Sequence, residues 1–421
     1  MSRTLTFTTQ AAGLAAKAAI EARIATFCTA DGYSVAAGAV SPKTAAGAAG
    51  NGQAATSWCP VSGSGSSWSL PHPEYHSLRN RLVSGVARNF IAYVLQDVTL
   101  VLSGTAPIYR TTRGVDGGWT KASTTYVSPL GGATTYFDPW VIKDGSVLKM
   151  WVSNRTTRSI DYCESTDGGE EWSTPVAVMV PINANPQDNE TDVSRACVVK
   201  MGPSDYRMWF TGSAGNFMWI CYATSTDGIE WDREEGNPVM TALPDSWESR
   251  VDSAISQPVV IWDASAALFK MWYSGGASYE PEAIGYATSL DGKDWERNGG
   301  NPIFTRDNTL TWEAAFVGVG HVWKADGYYN MAYIAYQNSN LATICLARSV
   351  DGITNWERHA LNPIIRKSTV PTDQDYWGVY RPTVVLDGAD YKLFYNGRND
   401  DFATGKEAIM MATLSGSNLW F

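Results

Sequence analysis

The chain has 421 residues, 44% of them hydrophobic, which is enough to bury a large core, and a formal net charge of −10 from 32 basic and 42 acidic side chains. An acidic balance without a dense basic face excludes a nucleic-acid backbone as partner, because neutralising phosphates needs clustered Lys and Arg. No apolar run reaches the ~18 residues of a membrane-spanning helix, and the start MSRTLTFTTQ lacks the basic and apolar regions of a secretory signal, so neither membrane insertion nor ordinary export is expected.

Residues 1–88 form a first segment. A short TLTFTT strand is followed by QAAGLAAKAAIEARIATF (Gln10 to Phe27), Ala-rich and suited to a helix, but with only Leu14, Ile20, Ile24 and Phe27 as large apolar residues. From Ala36 to Ser67 the chain is mostly Ala, Gly and Ser. That composition suits either a flexible tail or an arm that orders against other protein subunits. Residues 89–134 turn β-rich, with FIAYVL, VTLVLSG and PIYRTTRGVDGGW. They read as a partial blade or a linking β segment.

Residues 135–421 repeat. ICYATSTDGIEWDREEGNP (Ile220 to Pro238), IGYATSLDGKDWERNGGNP (Ile284 to Pro302) and ICLARSVDGITNWERHALNP (Ile344 to Pro363) share an apolar strand, a Ser-x-Asp-Gly turn, a Trp and a trailing Asn-Pro. Weaker copies lie at Asp161 to Pro175 and Ile409 to Trp420, and a doubtful sixth at Pro107 to Trp119. The marker residues are Trp172, Trp231, Trp295, Trp356 and Trp420. Each repeat holds a β-branched strand (DPWVI, RACVV, QPVVIW, GHVW, RPTVVL), a KMWYSG-type strand, the ICYATS-type strand and a fourth strand at the marker Trp. About sixty residues per four strands, with no helical pattern between them, is the signature of a β-propeller. The expected fold is therefore all-β, a propeller with five blades preferred and a sixth blade if residues 90–134 add one. The Asp of each turn (Asp167, Asp227, Asp291, Asp351) reads as a structural acceptor of backbone amides.

These motifs resemble the five-bladed propellers of the glycoside hydrolase clan that holds arabinanases, β-xylosidases, fructosidases and mannoside phosphorylases. STDGGEEW (Ser165 to Trp172) also resembles the Asp-box of the six-bladed sialidases, on a single good copy. The first resemblance implies a funnel lined by the residues that lead the innermost strands: Asp138, Arg195, Gln257, Val319 and Arg381. It also implies three acids there, whereas only Asp138 stands squarely in such a position. Asp192 and Asp252 are the candidate partner acids; Glu190 lies on a strand-leading loop, and Glu248 and Glu313, in repeated Trp-Glu pairs, read as structural. Glycoside cleavage needs one carboxyl to protonate the leaving oxygen and another to activate water or attack.

Two readings of function follow. One is a glycan-recognising propeller that serves as a binding or structural subunit of a larger assembly, such as a phage tail fibre or other virion component for host attachment. The alternative is an active glycoside hydrolase, with Asp138 and Asp192 or Asp252 as acids. In both, carbohydrate is the ligand and Arg195, Gln257 and Arg381 are its contacts. No cofactor or metal is expected: Cys28, Cys59, Cys163, Cys197, Cys221, Cys345 and the four histidines show no ligand spacing. Buried free thiols are expected instead.

Overall fold

Five antiparallel sheets, each built on four strands, account for the repeats. The computed structural model describes residues 119–122, 126–132, 135–182, 190–277, 280–339, 341–400, 406–415 and 419, and the backbone of seven strands before residue 101. Two compact units divide the chain, Met1–Val115 with Phe421, and Asp116–Trp420. In the first, Thr4–Phe7, Ser67–Pro71 and Ser62–Ser64 form one sheet, Val40–Pro42 pairs with Val98–Leu100, and Pro73–Val83 pairs with Val86–Leu95. Strands thus occur within the Ala/Gly/Ser-rich stretch. The expected helix from Gln10 to Phe27 and Cys28 and Cys59 lie outside the described residues.

The second unit is a five-bladed β-propeller. The innermost strands are Tyr136–Asp144, Asp192–Gly202, Ile255–Asp263, Phe316–Ala325 and Gly378–Asp387. Each is followed by two antiparallel strands, in the first blade Val147–Asn154 and Ser159–Ser165. Short outer strands Asp232–Arg233, Glu296–Arg297 and Glu357–Arg358 follow their marker tryptophans in blades two to four. The fifth blade takes its outer strand from the other end of the unit: Thr120–Lys121 pairs with Thr413 and Ala412 of Glu407–Leu414. Of the sixth copy, Trp119 alone lies among the described residues. It is the marker residue before the closing strand of blade five.

The sheets lock to each other through the repeated motif. Trp151, Trp209 and Trp272 of the second strands are buried, and their Nε1 groups donate to the carbonyls of Gly228, Gly292 and Gly352 in the next blade's turn (2.9, 2.7 and 2.8 Å). Those glycines have φ of +83°, +86° and +77°, which side-chain-bearing residues adopt only with strain. Within the turn, Asp227 accepts the amides of Ile229 and Glu230 (2.8 and 2.9 Å), and Ser225 Oγ donates to its carboxylate. Cys163, Cys197, Cys221 and Cys345 are free buried thiols in this packing.

A second repeated device sits where blades meet. Glu248 is buried, accepts from Tyr273 Oη (2.7 Å) and pairs with Arg297 of the outer strand (2.9 Å). Glu313 repeats this with Tyr333 (2.7 Å) and Arg358 (2.6 Å), and Glu190 pairs with Arg233 (2.9 Å). At the closure Asp375 takes the acid's place, with Tyr395 Oη at 3.2 Å and Lys121 at 2.6 Å. Glu248 and Glu313 are structural contacts.

Candidate functional site

Every innermost strand carries a register shift at the position that leads toward the axis, opposite the middle of the second strand. At four of the five, the residue there has positive φ: Asp138 (+49°), Arg195 (+58°), Gln257 (+56°) and Arg381 (+32°). Such a backbone is unfavourable for side-chain-bearing residues and persists where neighbours fix it. The preceding blade supplies the fixing contact. Ser153 Oγ accepts the Arg195 amide (2.9 Å), Thr211 Oγ1 that of Gln257 (3.1 Å), Ser274 Oγ that of Val319 (2.9 Å), and Asn396 Oδ1 that of Asp138 (3.3 Å). The serine, threonine or asparagine of the KMWYSG-type strand thus turns a neighbour's side chain into the funnel.

A pocket of about 380 Å³ opens at this end. Asp138, Arg195 and Gln257 line it with Phe137, Tyr336 and Tyr380, and two further acids, Glu280 and Glu407, with Arg155, Arg398, Ile334 and Asn396. Arg195 Nε donates to Asp138 Oδ2 at 3.1 Å, and both side chains are almost fully buried. Glu407 is held by Arg155 (2.9 Å) and Arg398 (3.6 Å) and accepts from Asn396 (3.3 Å). Gln257 accepts from Ser274 Oγ (2.7 Å). Burial raises the pKa of Glu280, against smaller opposing contributions from its own backbone amide and from Arg195.

A second pocket, of about 300 Å³, shares Phe137, Arg155 and Arg195 with the first and adds Arg158, Thr191, Asp192, Ser194, Ser213, Gly215 and Met218. Burial raises the pKa of Asp192, opposed by Arg195, Arg155 and Arg158.

The residues named from sequence therefore separate. Asp138, Arg195 and Gln257 meet in the central pocket, and Asp192 lies in the adjoining one. Asp252 lies in neither; it accepts from Asn216 at 3.2 Å. Arg381, expected to face the open axis, is instead 1% exposed and lines neither pocket. Its burial, beside the opposing attraction of Asp138, brings the guanidinium down to about 10. The sequence reading missed Glu280, Glu407, Arg155 and Arg398. Glu280 sits in the hairpin between Leu268–Gly275 and Ala283–Ser289, which is longer than the two-residue hairpin of blade two between Ala214 and Phe217. That extra length was the available signal. Among the described residues no group of His, Cys, Asp and Glu could hold a metal.

The chain has the five-bladed propeller fold of arabinanase-like and β-xylosidase-like glycoside hydrolases. It superposes on a glycoside hydrolase structure with a TM-score of 0.55 at 18% identity, over 69% of this chain and 90% of the other. A thermostable family-43 glycoside hydrolase gives 0.51 at 17%, over 68% and 91%, and a glycosyl hydrolase from Bacteroides ovatus gives 0.50 at 15%, over 66% and 84%. At these identities the likeness is one of fold. No protein-family model matches the sequence. An uncharacterised protein of Mycobacterium tuberculosis, strain CDC 1551 / Oshkosh, is 33% identical over 146 residues, which is 32% of this chain and 45% of that protein. Its counterpart from strain H37Rv is 31% identical over 148 residues. The chain spans about half the length of these curated relatives.

Proposed function

We propose that the propeller is a glycoside hydrolase whose central pocket protonates the leaving oxygen of a glycosidic bond with Glu280, and that Asp138 is the acid that activates water or attacks. The observation that carries this reading is the contrast between two carboxyls of one pocket: burial favours a proton on Glu280, while Asp138 is hydrogen-bonded and ion-paired to Arg195. A carboxyl whose pKa is raised by burial suits the proton donor, and a carboxylate held in an ion pair suits the base or nucleophile. Tyr336 and Tyr380 supply aromatic surface against which a sugar ring packs. Gln257 and Asn396 supply polar contacts for hydroxyls. Glu407, tied to two arginines and an asparagine, orients the wall and takes no part in proton transfer. Asp252 has no role in this scheme.

Screening plant, bacterial and capsular polysaccharides for release of reducing ends tests the proposal. Asp138→Asn and Glu280→Gln should each lower kcat by about a hundred- to ten-thousand-fold with the fold intact. Glycan recognition without cleavage is the competing reading, favoured by the commitment of Asp138 and Glu407 to arginines. It would be the conclusion if the wild type bound a polysaccharide but released no ends from it, and if Asp138→Ala weakened that binding. On composition, residues 1–88 are proposed as the arm through which the propeller joins another subunit.

A further inference from the structure

We infer that the side pocket between Arg155, Arg158 and Arg195 is a subsite for a carboxylate carried by the glycan, so that the substrate is an acidic saccharide containing a uronic acid. This rests on the hydrolase reading of the neighbouring pocket. Three guanidinium groups line the side pocket against one carboxylate, Asp192, and three hydroxyls, Thr191, Ser194 and Ser213. Arg195 spans the two pockets. Its Nε serves Asp138 in the central one, while Nη1, on a residue 8% exposed, finds the thioether of Met218 at 3.2 Å. A sulfur is a weak acceptor for a guanidinium, and a ligand carboxylate at that place would complete a charge-assisted pair. Arg155 uses Nε and Nη2 on Glu407 and rests over the Phe137 ring at 4.1 Å, so it too stands on the boundary between the pockets. Arg158 is exposed and lines the side pocket alone.

The charge balance of the joined pockets agrees. Their lining holds four arginines, Arg155, Arg158, Arg195 and Arg398, and four acids, Asp138, Asp192, Glu280 and Glu407. With the proton that a general acid carries on Glu280, positive groups exceed negative ones by one, and one carboxylate on the saccharide restores neutrality. The pockets share Phe137, Arg155 and Arg195, so a saccharide that spans them meets the acids on one side and the guanidinium groups on the other.

The test compares uronic-acid polysaccharides, the same polysaccharides after reduction of their carboxyls to alcohols, and a sulfated neutral polysaccharide, as substrates of the full chain. The acidic form should be cleaved with a kcat/KM at least about tenfold above its reduced counterpart, the size of one charge-assisted contact. Arg158→Gln should lower that ratio about tenfold through KM, with an unchanged thermal unfolding curve as the control for folding. Equal turnover of acidic and reduced forms overturns the subsite while leaving the hydrolase reading in place. Preference for the sulfated polymer overturns the carboxylate assignment. Cleavage of none of the three, with cleavage of some other neutral glycan, rejects the subsite alone; cleavage of no glycan at all rejects both readings.

Discussion

Burial in the pocket gives Glu280 a cost. A carboxyl whose folded pKa is raised above its unfolded value is penalised wherever the pH leaves it charged, and the penalty fades as the pH falls and both states hold the proton. Glu280→Gln should therefore unfold at a higher temperature than the wild type at pH 7, and the gap should close below about pH 4, while turnover is lost. A variant less stable than the parent at neutral pH would contradict the origin of the shift. Arg195 shows the opposite case. Arg195→Met leaves the buried Asp138 carboxylate without its partner and should cost about 3 kcal/mol in chemical denaturation. Three pocket residues, Asp138, Arg195 and Gln257, were legible in the sequence because repeat alignment finds whatever leads an innermost strand. Glu280 and Glu407 were not, since one lies in a hairpin whose length changes from blade to blade and the other starts a third strand. Arg381 was misplaced for a related reason: alignment gives a position on the strand but not the depth at which a side chain ends.

The Ser-x-Asp-Gly turn and the tryptophan from the preceding blade form one joint. Trp209 is fully buried, packs on Tyr222, Phe269 and Trp295 at 5.2, 5.3 and 6.1 Å, and holds the Gly292 carbonyl of the next turn. Trp209→Phe loses that bond and leaves both a cavity and a bare carbonyl, an expected cost of about 2–4 kcal/mol by denaturant unfolding. The carboxylates of these turns set a pH dependence. Backbone amides at Ile229 and Glu230 lower the pKa of Asp227, and those at Asp294 and Lys293 lower that of Asp291. A depressed carboxyl stabilises the fold above its unfolded pKa of about 4 and loses that contribution as the pH falls through the folded value. Asp227→Asn should accordingly be less stable than the parent at pH 7 and converge with it in acid, which thermal unfolding across pH would register. This joint was readable from the repeated S-x-D-G-x-x-W spacing, because local turns depend on local sequence. The bond that crosses to the next blade was not, because its partners lie 77 to 83 residues apart.

Ring closure decides whether five sheets behave as one propeller. Thr120–Lys121 completes the fifth blade, and Lys121 reproduces the basic end of the device seen at Arg297 and Arg358 by pairing with Asp375, whose side chain is 1% exposed. Lys121→Met strands that carboxylate and should cost about 3 kcal/mol, with hydrogen exchange rising first along Glu407–Leu414. The number of blades followed from the spacing of the marker tryptophans, whereas the closure joins the two ends of the unit, a pairing that no local pattern specifies. The closed ring in turn brings four innermost strands to one pocket, through Asp138, Arg195, Gln257 and Tyr380, which is where the functional claim rests. Its most direct test is hydrolysis by Glu280→Gln and Asp138→Asn of the nitrophenyl glycoside of whichever sugar the wild type releases, beside the natural glycan. Nitrophenolate departs without a proton, so Glu280→Gln should retain most of its rate on the activated substrate and lose it on the glycan, while Asp138→Asn should lose both. Equal losses on the two substrates for Glu280→Gln, or full glycan turnover by either variant, would contradict the assignment.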